Sequence, residues 1–185
     1  MRQNFGAKTW LYPMPVLIIA SYNENGGGEA MNAAWGGISD NNEISMDVSA
    51  GHKTVKSILK KHAFSVSVGT AEHMKECDYL GVVSGNDEPN KLQKAGFHIT
   101  KSEFVDAPVI EELPMTLECE LISYDPNTGV MKGRIVNVSA DDTILTDGKI
   151  DPAKLHPISF DPVNNKYLVL GEIVGNAFQD GLQLK

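Results

Sequence analysis

Cysteine is almost missing from this chain, with only Cys77 and Cys119 in 185 residues. The two share no short spacing, form no CxxC motif and have no further ligands beside them, so two ordinary buried thiols are expected, not a disulfide or a metal site. The five histidines (His52, His62, His73, His98, His156) make no HxxxH or HExxH pair, which argues against zinc. No GxSxG marks a nucleophile elbow, no GxGxxG follows a strand, and GxxxxGK[ST] is absent. Positive charge is also short: 16 Lys and Arg against 24 Asp and Glu leave a net charge of −8. That balance argues against nucleic acid or an anionic membrane as partner, since both reward clustered cations. It leaves room for one phosphate held by one or two well-placed cations. Long apolar runs are missing too. The longest, Pro13 to Ala20, falls well below the roughly 18 residues of a membrane helix and has neither a basic lead-in nor a cleavage site. It reads as the first element of the fold, and the protein as cytoplasmic. The pairs Glu111-Glu112 and Asp141-Asp142 read as solvated loops. Nothing nominates a catalytic acid, base or nucleophile, so redox chemistry would need a bound cofactor.

What is present suggests many short strands with helices set between them. The length suits a single domain over residues 1–185, and 42% hydrophobic with 22% charged residues is ordinary for a globular chain. Val16 to Ser21 reads as a buried strand, the glycines after Asn23 as a loop, and Glu29 to Trp35 as the return strand. Ile44 to Val48 and Phe64 to Val68 alternate with the strand period. Between them a helix begins near Thr54, with Val55, Ile58 and Leu59 on one face. Thr70 is placed to cap a second helix from about Ala71 to Val83. A short third helix fits Pro89 to Ala95, closed by Gly96. Leu117 to Tyr124 and Val130 to Val138 form a hairpin around Asp125-Pro126-Asn127-Thr128-Gly129. Pro157 to Phe160 and Tyr167 to Leu170 are the last strands. Regular strand–helix alternation is absent, so the class is mainly β with inserted helices, closing into a barrel.

Three segments could carry chemistry. Ser49-Ala50-Gly51-His52-Lys53-Thr54 joins a strand to a helix, where unpaired N–H groups and the helix dipole favour an anion. Ser49 and Thr54 add hydroxyls, and Lys53 with His52 can add positive charge. The same residues also suit an ordinary cap, with Thr54 at the N-cap and Lys53 solvated. Met31-Asn32-Ala33-Ala34-Trp35-Gly36-Gly37 could let a flat ring lie against the backbone, or could simply bury Trp35 in a core. Lys91 could offer a second cation after Asp78-Tyr79-Leu80-Gly81 and Ser84-Gly85, or could be a solvated surface lysine.

In order along the chain, these segments resemble the flavin reductase-like family, flavoredoxin branch. A proline-rich opening into Val16-Leu17-Ile18, the Met31 and Ser49 segments, Asp78 to Gly85, Lys91 and Gly96-Phe97 take part. So do Pro157-Ile158-Ser159-Phe160-Asp161-Pro162, Tyr167 to Glu172 and Val174-Gly175. The resemblance implies an FMN-binding split barrel, six-stranded, antiparallel and Greek-key-like, that forms a homodimer. It implies that Asn32, Ala33, Ala34 and Trp35 border the isoalloxazine ring and that Ser49, His52, Lys53 and Thr54 hold the phosphate. Lys91 is then a further contact and Phe160 sits near the flavin. The implied activity is NAD(P)H-dependent reduction of flavin, or electron transfer between a protein donor and an acceptor. The alternatives are a non-enzymatic carrier or a flavin-free barrel. Two positions depart from the family pattern. Thr128 to Lys132 stands where many members carry a histidine before Gly133, and Ala33 and Ala34 stand where some flavoredoxins carry a reactive cysteine.

Overall fold

Apolar residues occupy both parities of the strand that follows the proline-rich segment, and this one strand serves two cores. The computed structural model describes residues 1–185. In chain order its first elements are β1 (Met14–Pro15), β2 (Leu17–Tyr22), β3 (Gly28–Ala33), β4 (Gly36–Asp40), β5 (Glu43–Asp47), α1 (Lys53–Lys61) and β6 (Ala63–Val68). Then come α2 (Met74–Val82), α3 (Lys91–Lys94), β7 (Ile99–Lys101), β8 (Pro108–Ile110), β9 (Met115–Tyr124) and β10 (Val130–Ala140). The chain closes with β11 (Leu145–Thr146), β12 (Lys149–Ile150), α4 (Pro152–Leu155), β13 (Ile158–Asp161) and β14 (Lys166–Val169).

The main sheet runs β3-β2-β6-β9-β10-β5-β4, and every pairing in it is antiparallel. Its two edges, β3 and β4, are joined by Ala34 and Trp35 alone. Counted as one bent strand, β3–β4 pairs with β2 through its first half and with β5 through its second. The seven segments then make the six-stranded split barrel expected from the sequence. A side chain at Gly36 would fall 2.8 Å from Met46 Cγ and 3.0 Å from Leu17 Cδ1, so the corner closes only with glycine there.

Leu17, Ile19, Met31, Met46, Phe64, Val66, Leu117 and Met131 fill the barrel, and α1 lays Val55 and Ile58 into the same cluster. The other face of β2 presents Ile18 and Ala20 to a second cluster with Cys77 and Leu80 of α2, Leu92, Phe97 and Ile158. Each fully buried large aliphatic contributes roughly 1.5–3 kcal/mol, so the double use of β2 is worth several such contributions. The β9–β10 hairpin forms as expected. Asn127 N–H and Thr128 Oγ1 donate to the Asp125 carboxylate at 2.9 and 3.0 Å, fixing the turn. Register shifts at Lys132/Gly133 and Ile135/Asn137 curl the pair.

Several local expectations need correction. The second helix starts at Met74, and Thr70 is not its cap; Thr70 bridges to Pro157 and its buried hydroxyl has no partner. The third helix is a single turn from Lys91, with Pro89 ahead of it. Leu59 does not share the buried face of α1 with Val55 and Ile58, being 38% exposed. β1 pairs with β13, held by Ser159 Oγ, which donates to Met14 O and accepts from Met14 N–H. Both cysteines are buried free thiols, as expected, pushed up to about 12 by burial and therefore unreactive near neutral pH. No helix is long and apolar enough to cross a membrane.

Candidate functional site

The first turn of α1 is uncapped. His52 occupies the N-cap position without a side-chain hydrogen bond, and Thr54, the expected cap, lies one turn position inside the helix. The N–H groups of Lys53, Thr54 and Val55 therefore find no acceptor in the chain. No acidic residue lies in that turn, while Lys60 and Lys61 occupy the last one. The positive end of the helix dipole is left uncompensated. The Thr54 side chain is almost fully buried.

A cavity of about 290 Å³ opens over this turn, bordered by Asn32, Ser49, His52, Lys53, Thr54 and Lys91. The structure thus brings together six of the ten sequence-expected site residues. Lys53 is not a solvated surface lysine: its Nζ lies 2.5 Å from Glu29 Oε1. Lys91 is buried as well, and its ammonium donates to Leu80 O and Val83 O at 2.9 Å each. Those carbonyls belong to the last turn of α2, so Lys91 also closes that helix at its negative end. Burial, then the charge on Lys91, pushes the His52 imidazole down from its ordinary value. Both effects work against a positive charge on His52.

Asn32 is anchored to α2 through Nδ2, which donates to Cys77 O at 3.0 Å, and Gly81 leaves room for it. Asn86 Nδ2 donates to Gly51 O at 3.1 Å and ties the loop after α2 across the start of α1. The other four expected residues lie elsewhere. Ala33 packs against the barrel core. Ala34 and Trp35 line a separate, more apolar hollow of about 410 Å³ with Met14, Ile38 and Val130. Trp35 is 51% exposed, so it is not a core tryptophan. The Phe160 ring packs against Tyr167 at 6.2 Å with a 54° tilt, and the Tyr167 hydroxyl donates to Asp78 Oδ1 at 2.7 Å. Burial, with Asp78 beside it, raises that phenol well above its ordinary value. A larger hollow of about 620 Å³ lies beside Pro152 and Ile173, but it presents Asp151 and Glu172 and no lysine or arginine, which suits no anion.

Sequence reasoning passed over Glu29. By sequence it is only the first residue of a strand, but it shares its parity with Met31 and Ala33 and therefore points to the same side of the sheet.

Residues 9–157 match the family described as flavin reductase like domain, and the chain belongs to that family. It is similar throughout to flavoredoxin of Desulfovibrio vulgaris (Miyazaki F): 33% identity, TM-score 0.93, covering 98% of this chain and 100% of that one. It is also similar to flavoredoxin from Methanosarcina acetivorans, with 25% identity and TM-score 0.89 over the whole of both chains. The flavoredoxin branch of the resemblance is thereby borne out. An uncharacterised protein of Aquifex aeolicus is 30% identical over 122 residues, 63% of this chain and 59% of that protein. The chain thus spans little more than half the length of that relative.

Proposed function

We propose that this chain binds FMN and passes electrons through it. The observation that carries the proposal is the cavity over α1, lined by Lys53 and Thr54 with their unpaired N–H groups, by the hydroxyl residues Ser49, Thr54 and Ser84, and by Lys91. This donor set fits a phosphomonoester: charge-assisted hydrogen bonds of this kind are worth roughly 1.5–3 kcal/mol each. Ser49, Lys53, Thr54 and Lys91 hold the phosphate, and His52 serves as a hydrogen-bonding side chain. Asn32 to Trp35 spans about 10 Å of extended chain from the polar cavity to the apolar hollow. It can therefore border a ligand with an anionic end and a flat apolar end. Ala33, Ala34 and Trp35 take the ring side, with Phe160 reached through Tyr167. When bound, FMN supplies the hydride and electron transfer that no side chain here can perform. The chain's own part is to bind, orient and shield.

In the primary reading the protein is an oxidoreductase that takes electrons from NADH or NADPH. The full-length likeness to the flavoredoxins favours a second, in which a protein donor replaces the nicotinamide and the chain is a carrier. A homodimer completes the proposal. The terminal arms carry Leu11, Ile173, Val174, Phe178 and Leu184, all strongly exposed.

An absorbance spectrum of the purified protein, followed by anaerobic titration, tests this directly. A flavin spectrum bleached by NADH or NADPH supports the reductase. A flavin spectrum stable to both supports the carrier, and a colourless protein that takes up no added FMN sinks the proposal.

A further inference from the structure

Glu29 is 1% exposed, stands opposite Ser21 on β3, and turns its carboxylate to the start of α1. Oε1 accepts from Asn23 Nδ2 at 3.0 Å and lies 2.5 Å from Lys53 Nζ. Oε2 is buried with no donor at all; Gly85 covers it so closely that a side chain there would fall 3.2 Å from that oxygen. A buried carboxylate oxygen left without a donor is costly and calls for a reason beyond a structural ion pair.

The surroundings explain its retention. Lys53 and Lys91 border one small cavity, and each opposes the other's charge. Burial lowers the Lys91 ammonium's hold on its proton, Glu29 offsets that, and Lys53 adds to it. No other carboxylate takes this place. Glu24 is exposed and pairs with Lys60, Glu88 pairs with Lys94, and α2 offers the cavity only Leu80, Gly81 and Val82. Burial and Lys91 work against a positive charge on His52, and Lys56 and Lys60 line an outer groove that Lys53 borders from its other side.

We propose that Glu29 is a positioning residue whose buried carboxylate holds the Lys53 ammonium in place beside the cavity wall and offsets the positive charge gathered there before a phosphate arrives. The proposal rests on the phosphate reading above. One positive charge remains in surplus, enough to favour an anion without leaving two bare ammonium ions in the wall.

The test compares FMN with riboflavin, which shares the ring but lacks the phosphate, so any titration of the ring cancels. Dissociation constants for both are measured by flavin fluorescence between pH 7 and 9, with thermal melting as a check on folding. In the wild type, the ratio of riboflavin to FMN constants should be large and change by no more than about twofold. In Glu29→Gln the ratio should be smaller than the wild type's and should fall further as the pH rises, because Lys91 loses the carboxylate that offsets its burial. Glu29→Asp restores the flat profile. A Glu29→Gln ratio as flat and as large as the wild type's overturns the proposal and leaves Glu29 a structural tie. A wild-type ratio near one overturns the phosphate reading itself, and this proposal with it. If Glu29→Gln does not fold, the double variant with Lys53→Met removes both opposed charges at once. Its ratio should be lower than the wild type's and independent of pH; a pH-dependent fall there overturns the proposal.

Discussion

Lys53 concentrates what a single residue contributes here. It begins α1, contacts a buried carboxylate and borders the cavity, so its removal touches both phosphate recognition and the pairing of Glu29. Lys53→Ala should weaken FMN binding by about 10- to 100-fold, the equivalent of one charge-assisted hydrogen bond, and leave riboflavin binding nearly unchanged. Flavin-fluorescence titrations of the two ligands check this, and equal FMN affinity in the variant would remove Lys53 from the phosphate site. The position proposed for Lys53 was partly legible in the sequence, because Gly51 and Lys53 fall together at a strand–helix junction, where backbone N–H groups and the helix dipole favour an anion. Its partner was not. Glu29 lies 24 positions earlier in the chain, and nothing local says that this strand end faces the start of α1. Lys91 was legible as a cation but not as a buried one. Its burial depends on two carbonyls at the end of α2, a meeting that only tertiary packing creates.

At the scale of elements, strand periodicity gave six of the seven barrel segments within a residue or two. It missed β4, whose Gly36-Gly37 start carries no apolar alternation. Turn chemistry gave the β9–β10 hairpin. The misplaced start of α2 has a physical cause. Thr70 looks like a cap, but its backbone is taken by the bridge to Pro157, and the helix waits three more residues. The tightest packing within the barrel is equally hidden from the sequence. Gly133 sits at a register shift of β10, and a Cβ there would fall 2.3 Å from Phe64 Cζ, one of the most deeply buried rings in the barrel. Gly133→Ala should therefore destabilise the protein by about 1–3 kcal/mol, because the clash is with a rigid ring in a filled core. Chemical denaturation measures the loss. A midpoint equal to the wild type's would show that Phe64 can move aside.

Across the whole molecule, the termini leave the barrel with their apolar side chains uncovered. Ile173, Val174, Phe178 and Leu184 are each at least 93% exposed. Burying such side chains is worth roughly 1.5–3 kcal/mol apiece, and a two-fold symmetric pair doubles the gain. The sum is comparable with the 4–15 kcal/mol cost of association. Removal of residues 171–185 should shift the protein from dimer to monomer at micromolar concentration, read by light scattering coupled to gel filtration. An unchanged mass would assign the interface to another face. Sequence alone gave no sign of these arms as a pair, since exposure is a property of the folded chain.

The corner at Ala34 and Trp35 has one more consequence, for engineering. Because strand side chains alternate with a period of two, the corner acts as a register pin between the two halves of one bent strand. A single inserted residue there would invert the facing of β4 relative to β3, turning Ile38 away from the side it shares with its partner Ile44 and setting β5 against the wrong partners. An insertion of two would preserve the alternation and only lengthen the bend. The barrel should therefore tolerate even changes of length at this point and reject odd ones.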